Sequence, residues 1–189
     1  MPLSSPRADR CWSVVETAWG YAGVVGDCAW AEYVGYPEPT FDEATMSLLH
    51  QFENIGPSDP EALTWLTETV IAYFRGETID WDQIPVRLNG TEFQTRIWQV
   101  CRSIESGQTR RYAEVAGLAG FRGAARAAGS ALAANPFGLL VPCHRVVAAN
   151  GIGGYGPKAE RKQLLLALEG NRYRSGPGRT AAESSGHCR

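Results

Sequence analysis

From Trp12 to Val34 the apolar positions come in short β-branched and aromatic runs: Val14-Val15, Val24-Val25 and Ala29-Trp30-Ala31-Glu32-Tyr33-Val34. Gly20, Gly26 and Asp27 interrupt them. Runs of that length bounded by turn residues predict a small antiparallel sheet. The apolar spacing then lengthens to a helical period over 41–53 and 60–75, the second stretch carrying Leu63, Leu66, Val70 and Phe74. These two helices are expected to cover one face of the sheet. Gly76 ends the second, and 79–89, with Pro85 inside it, reads as an extended connection where one unit gives way to the next.

Thr91 and Gln94 form an S/T-x-x-Q capping box ahead of Phe93, Ile97, Trp98 and Cys101, which predicts a helix over 91–104, stopped by Gly107. Shorter helices over 111–118 and 122–134, joined through Gly120, have helix-turn-helix proportions. Pro136 closes the second of these. The apolar run 139–147 reads as a buried strand. After it come the glycine-rich stretch 150–156 and a helix opened by Pro157 and running to Glu169. The chain thus divides into a flexible start (1–10), an α/β supporting unit (11–84), a second, mostly helical unit (85–174) and a flexible tail (175–189), an α+β organisation.

With 189 residues, 44% of them hydrophobic, the chain can bury a substantial core. No run has the length needed to span a bilayer and the first ten residues lack a hydrophobic signal region, so a soluble cytoplasmic protein is expected. Cys11, Cys28, Cys101, Cys143 and Cys188 make an odd count without a CxxC pair. That favours reduced thiols over a disulfide framework, and their spacing to His50, His144 and His187 matches no metal pattern. No metal and no cofactor are expected. The net charge of −2 hides an asymmetry: residues 1–89 carry 4 Arg against 14 acids, whereas 90–175 carry 12 Lys or Arg against 5 Glu. Segregation of this kind suits a second half that meets a polyanion, and it also arises when acidic and basic patches pair within one molecule.

The most informative stretch chemically is Pro142-Cys143-His144-Arg145-Val146-Val147. A thiol with its ordinary pKa of about 8.5 is only slightly ionised at neutral pH, so a nucleophilic cysteine needs a base or a positive dipole beside it. His144 is the candidate base. Side chains alternate along a strand, so His144 reaches Cys143 only through a local turn or a bridging water. The other reading is a buried, inert cysteine. The helix over 122–134 holds Ala124, Ala125, Ala127, Ala128, Gly129, Ala131 and Ala133 around a single cation, Arg126. So little bulk lets its backbone approach a narrow partner such as the DNA minor groove, about 6 Å wide, or simply pack tightly inside the protein.

Taken together these segments closely resemble the O6-alkylguanine-DNA alkyltransferase family. The hexapeptide 142–147 looks like its active-site signature, in register with Gly90-Thr91-Glu92-Phe93-Gln94, Ile97-Trp98, Gly107, Thr109, Tyr112, Ala125-Arg126-Ala127, Asn135-Pro136, Gly154-Tyr155 and the stretch from Lys158 to Glu169. Tyr73-Phe74-Arg75-Gly76 extends a weaker match into the first half. The resemblance implies a ribonuclease-H-like N-terminal unit and a winged-helix-like C-terminal unit. It implies irreversible, single-turnover repair without a cofactor, the alkyl group of O6-alkylguanine passing to Cys143 after the nucleotide flips out of duplex DNA, with O4-alkylthymine left open as a second substrate.

In that scheme His144 acts as base through water, Glu169 completes the relay and Asn135 is the hinge before the active-site segment. Arg126 fills the gap left by the flipped nucleotide, Tyr112 crowds the phosphate, and Phe121, Arg122 and Ala128 belong to the DNA-contacting surface. The backbone near Val146, Tyr155 and Gly156 reads the guanine. The expected partner is double-stranded DNA carrying O6-alkylguanine, met by a monomer, with cooperative assembly on DNA left open. Three departures from the family pattern stand out: Arg111 precedes Tyr112 where a small hydroxyl residue is common, Ala128 replaces a commonly larger aliphatic, and the loop after Val147 is one residue short. Two other functions remain as alternatives: an alkyltransferase-like module that binds lesions without reacting, which would lack the acceptor cysteine, and a Cys-His hydrolase, which would leave Arg126 and the alanine-rich helix unexplained.

Overall fold

Strands β1 (Cys11–Thr17), β2 (Gly20–Gly26) and β3 (Ala31–Val34) form an antiparallel meander in that order, as the short apolar runs predict. The computed structural model describes residues 10–52, 55–154 and 159–170. The register sets Trp12 opposite Val25 and Val15 opposite Ala22, so alternate residues of β2 face opposite sides. Ala22 to Gly26 are nonetheless all buried, because both sides are covered.

Helix α1 (Phe41–Gln51), opened by a Thr40/Glu43 capping box, packs Leu48 with Val25, Phe52, Trp12 and Val14. Helix α2 (Thr64–Phe74) packs Leu66, Val70 and Phe74 with Ala22, Val24 and Val34. The expectation that both helices share one sheet face is therefore corrected: they clasp opposite faces. Two faces had to be covered, since β2 is apolar at consecutive positions and not at alternate ones.

The 79–89 connection contains a 3-10 turn, Trp81–Gln83, over the wholly buried Trp81. Helix α3 (Glu92–Arg102) starts at the expected Thr91/Gln94 box and turns Ile97, Trp98 and Cys101 inward. Its last residue, Arg102, is buried and donates to the carbonyl oxygens of Trp81, Asp82 and Ile84, tying α3 to the first half. The short strand β4 (Arg110–Arg111) leads into α4 (Tyr112–Leu118), and α5 (Ala125–Ala133) follows after a turn in which Gly120 and Gly123 take positive φ. The indole N–H of Trp98 donates to the Ala131 carbonyl at 2.9 Å, fixing α5 on α3. The last helix, α6, spans Ala159–Leu168, and its expected start at Pro157 lies outside the described residues.

A strand over 139–147 does not form. Cys143 N donates to Val141 O at 2.6 Å, residues Cys143–Arg145 make a 3-10 turn, and only Val146–Val147 (β5) is extended, pairing in parallel with β4. Pro142 supplies no N–H for a ladder, and the Asn135 amide takes the carbonyls of Gly138 and Val141 that a neighbouring strand would otherwise bond.

The two halves share one core. A single cluster runs from Val24, Leu63 and Tyr73 through Ile97 and Trp98 to Leu140 and Leu165. Backbone bonds between Val34 and residues 137 and 139 cross between the halves, as does an Arg161–Glu38 ion pair at 3.0 Å.

Candidate active site

The 3-10 turn does what a strand could not: it leaves the Cys143 thiol half-buried at the surface while sending His144 and Arg145 inward, where they are 0% and 1% exposed. Asn135, just after α5, anchors the turn. Its side-chain oxygen accepts from Phe137 N at 2.9 Å, and its amide donates to Gly138 O at 2.8 Å and Val141 O at 3.0 Å and lies 3.7 Å from Cys143 Sγ. The sulfur and the end of α5 are thus held by one side chain. Gly138 permits the close crossing behind it: at φ +60 a Cβ there would run into the Val34 carbonyl.

Beneath the thiol, His144 Nε2 lies 2.9 Å from Glu169 Oε1. Arg145 clamps the same carboxylate, with Nη2 at 2.8 Å from Oε1 and Nε at 2.9 Å from Oε2, and donates through Nη1 to Ile104 O. Burial works against the Glu169 charge, but the hydrogen bonds and charges of His144 and Arg145 outweigh it and hold the carboxyl at about 2. His144 moves below 6.5, burial outweighing the help from Glu169. Near neutral pH the pair is therefore a neutral imidazole donating from Nε2 to an ionised carboxylate, and the charge of His144 acts on Glu169 only in acid, where the ring is protonated. That tautomer leaves Nδ1 with a lone pair, and Nδ1 is buried with no hydrogen-bond partner among the described residues. An imidazole acceptor of this kind serves as a base only for a group within hydrogen-bond reach or one water away.

The edge of the thiol site is built from Tyr112 and Lys162. The Tyr112 hydroxyl donates to Gly154 O at 3.3 Å, and a Cβ on Gly153 would press on its ring at 3.0 Å. Burial raises the Tyr112 pKa, helped by the sulfurs of Cys143 and Cys101, so the phenol stays a donor. Lys162, fully buried, donates to Val146 O at 2.6 Å; burial pushes it down to about 8 against the pull of the same two sulfurs. Val146 itself is buried, and Tyr155 and Gly156 lie outside the described residues.

Arg110 and Arg111 of β4, Arg122 in the turn before α5 and Arg126 on α5 are exposed, and Phe121 is half-buried against Phe93, with ring centroids 4.7 Å apart. Ala128 departs from expectation. It is 0% exposed and faces α3 and the core, because α5 turns its 128, 131 and 132 positions inward, so it has no surface to offer a groove. The small residues of α5 consequently serve both readings, the inner ones for packing and Ala127 for exposure.

Sequence reasoning missed Arg145, Lys162 and Tyr73 as parts of this site. Arg145 lay in the hexapeptide but a strand would have turned it away from Glu169. Lys162 sits in the polar run Glu160-Arg161-Lys162-Gln163, where a lysine ordinarily marks solvent. Tyr73, whose hydroxyl donates to Glu169 Oε1 at 2.8 Å, comes from the first half, and only the weak match over 73–76 hinted at it. Among the described residues no group of three or more His, Cys, Asp or Glu could hold a metal ion, and no helix is long and apolar enough to cross a membrane.

Residues 92–171 match the family model described as 6-O-methylguanine DNA methyltransferase, DNA binding domain. A methylated-DNA–protein-cysteine methyltransferase from Mycolicibacterium paratuberculosis is 47% identical over 112 residues, 59% of this chain and 67% of the relative. The crystal structure of Mycobacterium tuberculosis O6-methylguanine methyltransferase superposes with a TM-score of 0.68 at 33% identity, covering 85% of this chain and 92% of that one. The mixed α/β architecture, a small antiparallel sheet with helices, is common to both. A second structure of the M. tuberculosis protein, in complex with DNA, gives a TM-score of 0.68 at 33% identity over 84% and 91% of the two chains.

Proposed function

The chain belongs to the methylated-DNA–protein-cysteine methyltransferase family, and from that premise we infer that it binds DNA and repairs it by moving an alkyl group onto one of its own cysteines. Cys143 is the acceptor in this reading. The observation that carries it is the pairing of a reachable thiol, held near the Asn135 amide, with a buried His144–Glu169 pair that starts at the next residue of the same 3-10 turn.

The substrate is O6-alkylguanine in duplex DNA. A stacked guanine cannot present its O6 substituent to the sulfur, so the nucleotide must leave the helix, at a cost of a few kcal/mol. In this reading the exposed Arg126 enters the space it vacates, and the exposed Arg122 with the half-buried Phe121 beside it contacts the DNA backbone. The Val146 backbone and the loop after it, with Tyr155 and Gly156, receive the base, and Tyr112 closes the edge. In this reading the first unit is ribonuclease-H-like and the second winged-helix-like.

The thiol proton then passes to His144 Nδ1, directly or through water, and the resulting imidazolium is stabilised by the Glu169 carboxylate. The Cys143 sulfur attacks the alkyl carbon; the S–C bond forms as the C–O6 bond breaks, and the leaving guanine anion takes up a proton to regain its lactam. The product is a thioether, which neither water nor imidazole cleaves, so each chain reacts once.

The test is to incubate the protein with an O6-methylguanine duplex and weigh it intact. A single methyl on the peptide containing Cys143, with uptake ending at one equivalent, is the expected result. Tight binding with no change of mass would replace the repair reading with a lesion-binding one, and continuing product release would replace it with hydrolysis.

A further inference from the structure

Resting on the alkyl-transfer reading, we propose that Tyr73 is a positioning residue of the acid–base relay, its hydroxyl sharing the one carboxylate oxygen that also holds His144. Glu169 Oε1 receives Tyr73 Oη at 2.8 Å, His144 Nε2 at 2.9 Å, Arg145 Nη2 at 2.8 Å and Arg145 Nε at 3.2 Å. A carboxylate oxygen has about two lone-pair sites, so four donors compete for it, and the loss of one strengthens the rest. Tyr73 is 1% exposed, and its ring stands edge-on to Phe74 and Trp81, each with centroids 5.1 Å away. Packing therefore aims the hydroxyl. Because Tyr73 belongs to α2 and Glu169 follows α6, this bond is a direct chemical input from the acidic first half into the reacting site of the second.

The geometry on the far side explains why such a donor is needed. Tyr73 and Glu169 both border a cavity of about 220 Å³, open to solvent, whose polar walls include Glu77, Thr78 and Ser106. Without the phenol, Oε1 would exchange a fixed donor for mobile water. The charged groups that bear on His144 are Glu169, Arg145 and Lys162, with Glu77 beyond the cavity. Removing a neutral donor leaves the Glu169 anion less stabilised and a stronger partner for the imidazolium. Protonated His144 then persists to higher pH, and the acid limb of alkyl transfer follows it.

The experiment is the pH dependence of single-turnover methyl uptake from an O6-methylguanine duplex. Tyr73→Phe keeps the ring and removes the hydroxyl; 3-fluorotyrosine placed at position 73 keeps the hydroxyl and makes it a stronger donor. The expected result is an acid-limb midpoint about half a unit to one unit higher for Tyr73→Phe, and a shift in the opposite direction for fluorotyrosine. Ser106→Ala, which alters the cavity wall without touching the carboxylate, is expected to leave the midpoint in place. A uniform fall in rate with an unmoved limb, shifts of the same sign, or an equal shift from Ser106→Ala would overturn the proposal. If Tyr73→Phe does not fold, the sign of the fluorotyrosine shift decides alone. Native protein that takes up methyl while the limbs stay fixed sinks only the role of Tyr73, whereas native protein that takes up none sinks the alkyl-transfer reading itself.

Discussion

Glu169→Gln removes the charge on which three buried side chains converge, and its cost can be worked from the site. The carboxyl titrates at about 2 in the folded chain against 4.5 for an ordinary glutamate. At about 1.36 kcal/mol for each unit, that difference corresponds to roughly 3 kcal/mol of stability. It agrees with the roughly 3–5 kcal/mol expected when one member of a buried ion pair is removed, because Arg145, 1% exposed, keeps its charge without its counter-ion. A carboxyl with a depressed folded pKa stabilises above its unfolded value, and the contribution is lost as pH falls through the folded one. Native protein should therefore lose about 3 kcal/mol between pH 4.5 and 2, and Glu169→Gln should be weaker by that amount at pH 7 yet lack the decline. His144, with its pKa below 6.5, adds a separate loss that sets in at milder acid, as pH falls from 6.5 toward its folded value. Urea titrations at pH 7, 5, 3.5 and 2.5 measure the two curves. A variant whose curve runs parallel to the native one down to pH 2.5 would refute the ionised, donor-saturated carboxylate.

Cys143→Ser should take up no methyl from an O6-methylguanine duplex while still binding it, read by intact mass and by gel shift. Arg126→Ala should slow repair of duplex DNA by about tenfold or more while reaction with the free O6-alkylguanine base stays within about twofold, since only the duplex needs a nucleotide held out. Equal losses would assign Arg126 to folding. Asn135→Ala deletes two donors to turn carbonyls and should cost about 2–3 kcal/mol, measured as the shift in urea midpoint. Gly138→Ala, which combines a positive φ with a collision at the Val34 carbonyl, should cost roughly 2–4 kcal/mol on the same assay.

Local signals in the chain proved readable where one residue type has one structural use. The Thr91/Gln94 box starts α3, Gly107 and Gly120 take the positive φ that their place at a break implies, and the short runs of 12–34 pair as a meander. Periodicity failed where burial is two-sided. Consecutive apolar residues in β2 mean that helices cover both faces, and the same texture in 139–147 comes from a turn packed on all sides, not from a strand. That second error matters for function. On a strand Cys143 and His144 diverge and Arg145 returns to the cysteine side; on a 3-10 turn the thiol stays outside while His144 and Arg145 descend together onto Glu169. The relay partner was visible in sequence as a carboxylate at the end of a helix, but its other donors were not, because Arg145, Lys162 and Tyr73 become neighbours only when α2, α6 and the turn meet in one core. The first half, which offered no chemistry by itself, therefore cannot be treated as a passive support: cutting the chain near 84 would remove Tyr73 from Glu169 and Trp81, the cap for Arg102, in a single step.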